Sequence, residues 1–225
     1  MNRKVVQHLD TLISRYPVLA QVREDIFACY RLLETCYENG GKLLVAGNGG
    51  SAADAEHVVS ELMKGFVLPR HVEEDFAQKL LAQDARLGAV LAQKLEGALP
   101  AIALTGHSAL STASINDADS QIYFAQQVNG YGNPGDVFLA ISTSGNSINV
   151  LYAAVVARAK GLQVMGLTGA KESRLSQMSD VCIRVPEEVT HQVQELHLPI
   201  YHSLCLMLEE RFFGDPQAEG SAAHE

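Results

Sequence analysis

No run of basic residues occurs anywhere in the 225-residue chain, which carries a net charge of −9 and a pI near 5.3. Phosphate backbones select clustered Lys and Arg, so nucleic acid is excluded as the main partner. The four cysteines, Cys29, Cys36, Cys182 and Cys205, show no C-x-x-C spacing and sit in apolar contexts. They read as reduced core residues rather than a disulfide framework or a zinc knuckle. The opening M-N-R-K-V-V-Q-H-L-D lacks the apolar stretch of a signal peptide, and no segment reaches the ~20 apolar residues of a membrane span. The expectation is a soluble, cytoplasmic protein without a membrane partner. No solenoid-type repeat and no composition shift divides the chain, and 47% hydrophobic residues rule out disorder. A single α/β domain with a full core is expected.

What is present centres on residues 42–65, K-L-L-V-A-G-N-G-G-S-A-A-D-A-E-H-V-V-S-E-L-M-K-G. Lys42 to Ala46 read as a buried strand, too short and too uniformly apolar for a helix. Gly47, Gly49 and Gly50 make a turn in which a ligand can approach the main chain, and Ser51 reads as the N-cap of the following helix. Unpaired N–H groups and the positive dipole end at such a helix start suit a phosphate or a carboxylate. Glycine richness alone also fits an ordinary strand-to-helix turn. Four residues apart on that helix, His57 and Glu61 leave one face, where an imidazole beside a carboxylate can bind a metal or move protons.

Two amphipathic helices, 3–14 and 18–38, precede this stretch and are broken at Pro17. The second has a wide apolar stripe of Val18, Val22, Ile26, Phe27, Leu32 and Leu33, while the first finds little core of its own to pack on. A helical period resumes from Glu73 to about Glu96. Strands follow at 100–105, 136–142, 163–167 and 181–185, alternating with helices at 109–115, 119–128, 147–160 and 173–178, and a last helix covers 189–213. Such alternation predicts a parallel sheet covered on both faces. Both glycine–serine loops, 47–51 and 142–147, then leave the carboxyl ends of strands and can share one ligand. In the second loop Ser142, Thr143, Ser144 and Ser147 place four hydroxyls around Gly145 just before a helix, enough to hold a phosphoryl group without an arginine. In the final helix Gln194 and His202 stand ~12 Å apart along the axis and ~80° apart around it. Pro199 lies between them, and His197 reads as a supporting or a core histidine.

The motifs G-N-G-G-S-A-A-D-A-x-H-x-x-x-E-L, I-S-T-S-G-N-S and Q-E-x-H-x-x-x-x-H, in this order over roughly residues 15–213, resemble the phosphoheptose isomerases of the sugar-isomerase (SIS) superfamily. The resemblance implies a three-layer α/β/α SIS domain over residues 1–215 with a five-stranded parallel sheet. The N-terminal helices 1–38 would pack between subunits of a homotetramer, the sheet core would span 42–186, and 216–225 would be a flexible tail. It implies isomerisation of a sugar phosphate, sedoheptulose 7-phosphate to D-glycero-D-manno-heptose 7-phosphate, through a cis-enediol. Glu61 and His202 would be the proton-transfer pair. Asn48, Gly49, Ser51, Asp117, Ser142, Thr143, Ser144, Ser147 and Gln194 would hold the substrate, and His57, Glu61, Gln194 and His202 would bind zinc. Two departures stand out: an insertion at about 66–98, and Gln192 where the family commonly has an arginine, which leaves open a hexose or pentose phosphate. The alternative is a non-catalytic SIS-domain protein that senses a sugar phosphate or binds a protein partner. A related regulator of that kind lacks the carboxylate that Glu61 supplies here.

Overall fold

The structure, a computed structural model, describes residues 3–215, and the expected tail at 216–225 lies outside them. Its centre is a five-stranded parallel sheet in the order β2-β1-β3-β4-β5, formed by Leu43–Ala46 (β1), Ala101–Ala103 (β2), Val137–Ile141 (β3), Gln163–Thr168 (β4) and Val181–Arg184 (β5). Strand side chains alternate between faces, and two separate cores result. Leu43, Val45, Val137, Leu139, Ile141, Met165 and Leu167 face a layer of helices α1 (Arg3–Arg15), α2 (Arg23–Glu38), α3 (Gly50–Met63) and α10 (Thr190–Phe213). Leu44, Ala46, Phe138, Ala140 and Val164 face α7 (Tyr123–Tyr131), α8 (Ile148–Ala159) and α9 (Arg174–Met178). With both faces covered, β1 and β3 are buried along their whole length, which is why they read as unbroken apolar runs. From β1 the chain moves to one side for β2 and then crosses back over β1 to place β3 on its other side. Loops 47–50 and 142–147 therefore stand side by side at the switch point where open parallel sheets bind ligands.

Four expectations are corrected. Helix α1 does have a partner within the chain: Val5, Leu9 and Leu12 are buried against α10, so its apolar stripe does not by itself require a second subunit. Ser51 is not an N-cap. Helix α3 begins one residue earlier, capped by Gly49 at φ +57°, with no side-chain cap bond, and Ser51 lies buried in the first turn. The helix expected from Glu73 to about Glu96 is two helices, α4 (Glu74–Gln83) and α5 (Ala85–Lys94), because Asp84 takes an extended conformation and caps α5 by accepting from the N–H groups of Arg86 and Leu87. Their crossing is tight enough that a Cβ on Gly88 would lie 2.2 Å from the Leu80 carbonyl oxygen. The intervening helix expected at 109–115 runs as α6 (Ser108–Asp117), through Asn116 and Asp117.

The α4–α5 hairpin is joined to the body by a buried ion pair. Arg70 and Glu209 have no exposed side-chain area and meet at 2.8 Å. Glu209 also accepts from the backbone N–H groups of Phe66, Val67 and Leu68 at 2.8, 2.9 and 3.1 Å. Burial alone would raise the Glu209 pKa, but the N–H groups of Phe66 and Val67 and the Arg70 guanidinium outweigh it and hold it below the ordinary value. The rest of the Arg70 fork donates to the carbonyls of Leu62 (2.8 Å) and Glu61 (3.0 Å). It thereby satisfies the open C-terminal carbonyls of α3.

Candidate active site

The two glycine loops enclose a cavity of 310 Å³ lined by Asn48, Gly49, Gly50, Ser51, Ile141, Ser142, Thr143, Ser147, Thr190 and Gln194. Three helix starts meet there: the first turn of α3, Ser147 before α8, and Thr190 at the head of α10. Free N–H groups and positive dipole ends from three helices make a strong anion site without any charged side chain in its wall. The Ser142 and Ser147 hydroxyls lie 3.1 Å apart, spaced to bridge one oxyanion. Gly50 and Gln194 approach closely, since a Cβ on Gly50 would lie 2.5 Å from the Gln194 amide nitrogen and would push that side chain aside.

Seven of the nine expected substrate residues line this cavity. Ser144 does not: it is exposed, and its hydroxyl accepts from the Asn146 N–H at 3.2 Å, closing the loop locally. Asp117 does not either, being exposed at the end of α6 and bonded to the Asn116 amide at 2.7 Å. Asn48 is held in a reciprocal amide pair with Asn149, both bonds 2.9 Å, and accepts from the Tyr123 hydroxyl at 3.3 Å. It ties the first loop to α8, a role spread over three elements that no local spacing reveals. Thr190 was missed as well; its only signal is a hydroxyl residue opening a helix.

Further along α3 and α10 a second group of side chains assembles. His57 Nε2 is 3.2 Å from Glu61 Oε1 and 3.4 Å from His202 Nε2, and Lys64 donates to Glu61 Oε2 at 3.3 Å. The expected pairing of His57 and Glu61 across one helical turn is therefore present, and the fold brings His202 to it from α10. Gln194 is not brought to it: it packs on Gly50 at the cavity, and among the described residues no hydrogen bond joins it to His57, Glu61 or His202. The Phe66 ring lies 5.4 Å from that of His202, placed by the loop that Glu209 grips. Burial, followed by the neighbouring His57, lowers the His202 pKa, with Glu61 opposing, so His202 enters neutral solution as an uncharged imidazole.

Donors around a tetrahedral divalent ion, each about 2.1 Å from it, stand roughly 3.4 Å apart. The His57–Glu61 and His57–His202 separations match such edges. No group of three His, Cys, Asp or Glu side chains among the described residues already surrounds a common metal position, while these two pair distances and the donor chemistry are compatible with one.

Behind His57 stand two residues that sequence reasoning did not single out. The Tyr201 hydroxyl is 3.0 Å from His57 Nδ1 and donates to Asp54 Oδ1 at 3.2 Å. Asp54 lies three residues before His57 on α3, and Tyr201 immediately precedes His202. The i, i+3 spacing of Asp54 was a usable signal, whereas the pairing with Tyr201 depends on how the helices pack. His197 is a core histidine: it is fully buried, with Nε2 3.4 Å from the Thr168 carbonyl oxygen, and burial lowers its pKa to about 4.

A cavity for a phosphoryl group beside a carboxylate–imidazole cluster, at the switch point of a five-stranded parallel sheet, agrees with what the chain is similar to. Residues 79–169 match the SIS domain family. The phosphoheptose isomerase of Rhodospirillum rubrum is 40% identical over 76% of this chain and 77% of its own length. That of Aneurinibacillus thermoaerophilus is 34% identical over 95% of this chain and 96% of its own. The solved structure of a phosphoheptose isomerase from Francisella tularensis superposes with a TM-score of 0.71 at 32% identity, covering 92% of this chain and 97% of that one. With the site geometry and near full-length relatives in agreement, the chain belongs to the phosphoheptose isomerase family of SIS-domain proteins.

Proposed function

We propose that this protein is an aldose–ketose isomerase that interconverts sedoheptulose 7-phosphate and D-glycero-D-manno-heptose 7-phosphate. The observation that carries this reading is the placement of two unlike groups along the same two helices. From Ser51 to His57 along α3 is about 9 Å, and from Gln194 to His202 along α10 about 12 Å. An extended sugar chain advances about 1.2 Å per bond, so roughly 8 Å separates the phosphorus of a 7-phosphate from C2. A phosphate in the loop cavity thus delivers C1 and C2 to Glu61 and His202.

Isomerisation moves a proton between those carbons through a cis-enediol and needs one group for the carbon-bound proton and another for the hydroxyl protons. Glu61 and His202 take these complementary roles: a carboxylate and an uncharged imidazole can each accept a proton near neutral pH and return it one atom further on. The phosphate is held by Ser51, Ser142, Thr143 and Ser147 with the three helix starts, and Gln194 closes the cavity over Gly50. Asn48, fixed by Asn149, offers its remaining hydrogen-bonding capacity to the sugar hydroxyls.

His57, Glu61 and His202 would hold a zinc ion; when bound, zinc polarises the carbonyl. The enzyme acts in the cytoplasm as a homotetramer. Assembly is supported by the apolar face of the α4–α5 hairpin, where Phe76, Leu87, Val90 and Leu91 are exposed.

Incubation with sedoheptulose 7-phosphate in deuterated water should yield the aldose with deuterium at C2. Tight binding of the ketose phosphate with neither product nor exchange would identify a sugar-phosphate sensor instead. Loss of turnover on chelation, restored by zinc, is expected, while indifference to chelation removes the ion from the chemistry.

A further inference from the structure

The amide network behind the loop cavity has a single proton assignment. The Val150 backbone N–H can only donate, and it lies 3.0 Å from Asn149 Oδ1. That atom is therefore the oxygen and the other end of the same amide the nitrogen. Asn149 Nδ2 then donates to Asn48 Oδ1, and Asn48 Nδ2 donates to Asn149 Oδ1, both at 2.9 Å. The Tyr123 hydroxyl accepts from Asn149 Nδ2 and donates to Asn48 Oδ1, each at 3.3 Å. Reversing the Asn48 amide would set nitrogen against nitrogen, and reversing that of Asn149 would turn a donor toward the Val150 N–H. In this network both amide protons of Asn149 are used and both lone pairs of Asn48 Oδ1 are filled. What Asn48 has left is one Nδ2–H.

Asn48 is exposed and lines the cavity, whereas Asn149 is buried, Tyr123 is half-buried, and neither belongs to the cavity wall. The Asn48 backbone is pinned as well, its carbonyl accepting from the Ser51 N–H at 3.0 Å. Ser51 and Ser142 are buried at the floor of the cavity, where the phosphate sits, so a donor on exposed Asn48 meets the sugar above it. We propose that Tyr123 and Asn149 are positioning residues that present Asn48 to the ligand as a lone N–H donor, selecting at that point a sugar oxygen with a free lone pair. The inference rests on the reading of the cavity as a sugar-phosphate site and names what sets its polarity toward the sugar. An unsupported loop asparagine has two torsions to order when a ligand binds; here the fold has ordered them in advance. Tyr123 acts on the ligand through Asn48.

Tyr123→Phe in the full-length protein keeps the ring and removes the hydroxyl. Affinity for sedoheptulose 7-phosphate, read by calorimetry, should fall about 5-fold, and in turnover the loss should fall on KM rather than kcat. Inorganic phosphate affinity should stay as it was. In an Asn48→Ala background Tyr123→Phe should cost nothing further, the signature of a residue that acts through its neighbour. A loss of full size in that background overturns the proposal, as does an equal loss for inorganic phosphate. In ligand-free protein labelled with 15N-asparagine, the Asn48 side-chain amide, assigned by its absence in Asn48→Ala, should shift in Tyr123→Phe. An unmoved resonance overturns the proposal whichever sugar the cavity takes. A parent protein that binds sedoheptulose 7-phosphate without turning it over removes the isomerase reading, and the affinity cycle still decides the role of Tyr123. Should Tyr123→Phe fail to fold, Asn149→Ser takes its place in the same cycle.

Discussion

The loop cavity and the His57–Glu61–His202 group lie along the same pair of helices and are built on opposite plans. In the cavity, polar atoms are satisfied within the protein: Ser142 pairs with Ser147, and Asn48 with Asn149. The positive potential comes from backbone dipoles, and no residue in the wall is ionised. In the other group, ionisable side chains meet one another, His57 Nε2 3.2 Å from Glu61 Oε1 and 3.4 Å from His202 Nε2, with Tyr201 behind His57 and Lys64 beside Glu61. A site made of backbone tolerates loss of any one side chain, because its field is fixed by the fold. A site made of ionisable side chains depends on each of them.

The sharpest way to break this contrast is to remove the support under one region only. Arg70→Met strands Glu209 as a buried charge and should lower stability by about 3–5 kcal/mol in urea unfolding, with Glu209→Leu in the same chain recovering much of it. Equal recovery by a distant stabilising change would show that the pair has no special place. Next in size, Glu61→Gln and His202→Asn should each cut turnover by ~10²-fold or more while inorganic phosphate binds as before. A matching loss of phosphate affinity would mean that the two regions are one.

His197 offers a test from between them, on the same helix. Its folded pKa, about 4, lies below the ordinary 6.5, so the unfolded chain binds more protons within that window and stability falls as pH drops through it. The slope is up to about 1.4 kcal/mol per pH unit. In His197→Leu this contribution should disappear from melting curves taken between pH 4 and 6.5. The smallest effect is expected in the cavity: Ser142→Ala removes a hydrogen bond worth about 1 kcal/mol, weakening phosphate binding ~5-fold in calorimetry and leaving kcat in place.

The same division explains what could be read from the residues alone. Features local in sequence were legible: each strand, both loops and the span of α10 follow from short apolar runs, glycine turns and helical period. His57 and Glu61 are joined by one turn of helix, and the fold keeps them so. What escaped depends on packing between distant elements. Val5, Leu9 and Leu12 looked unpartnered because α10, their cover, comes some 190 residues later. Asp84 sits inside a continuous helical period, and only its extended backbone shows that it ends one helix and caps the next. Gln194, spaced to reach toward His202, packs on Gly50 instead because the first turn of α3 passes directly beside it.

The grip of Glu209 on residues 66–70 bears on the order in which the molecule is made. Arg70 and Glu209 are 139 positions apart, so the turn carrying Phe66 waits for a carboxylate near the end of the chain. A nascent chain can form the β1–α3 unit and the α4–α5 hairpin early, since their contacts are short-range, but the wall beside His202 is a long-range contact and closes late. Until α10 docks, Arg70 stays solvated and the emerging sugar site is open on one side, so completion of the active site and completion of the fold are a single event.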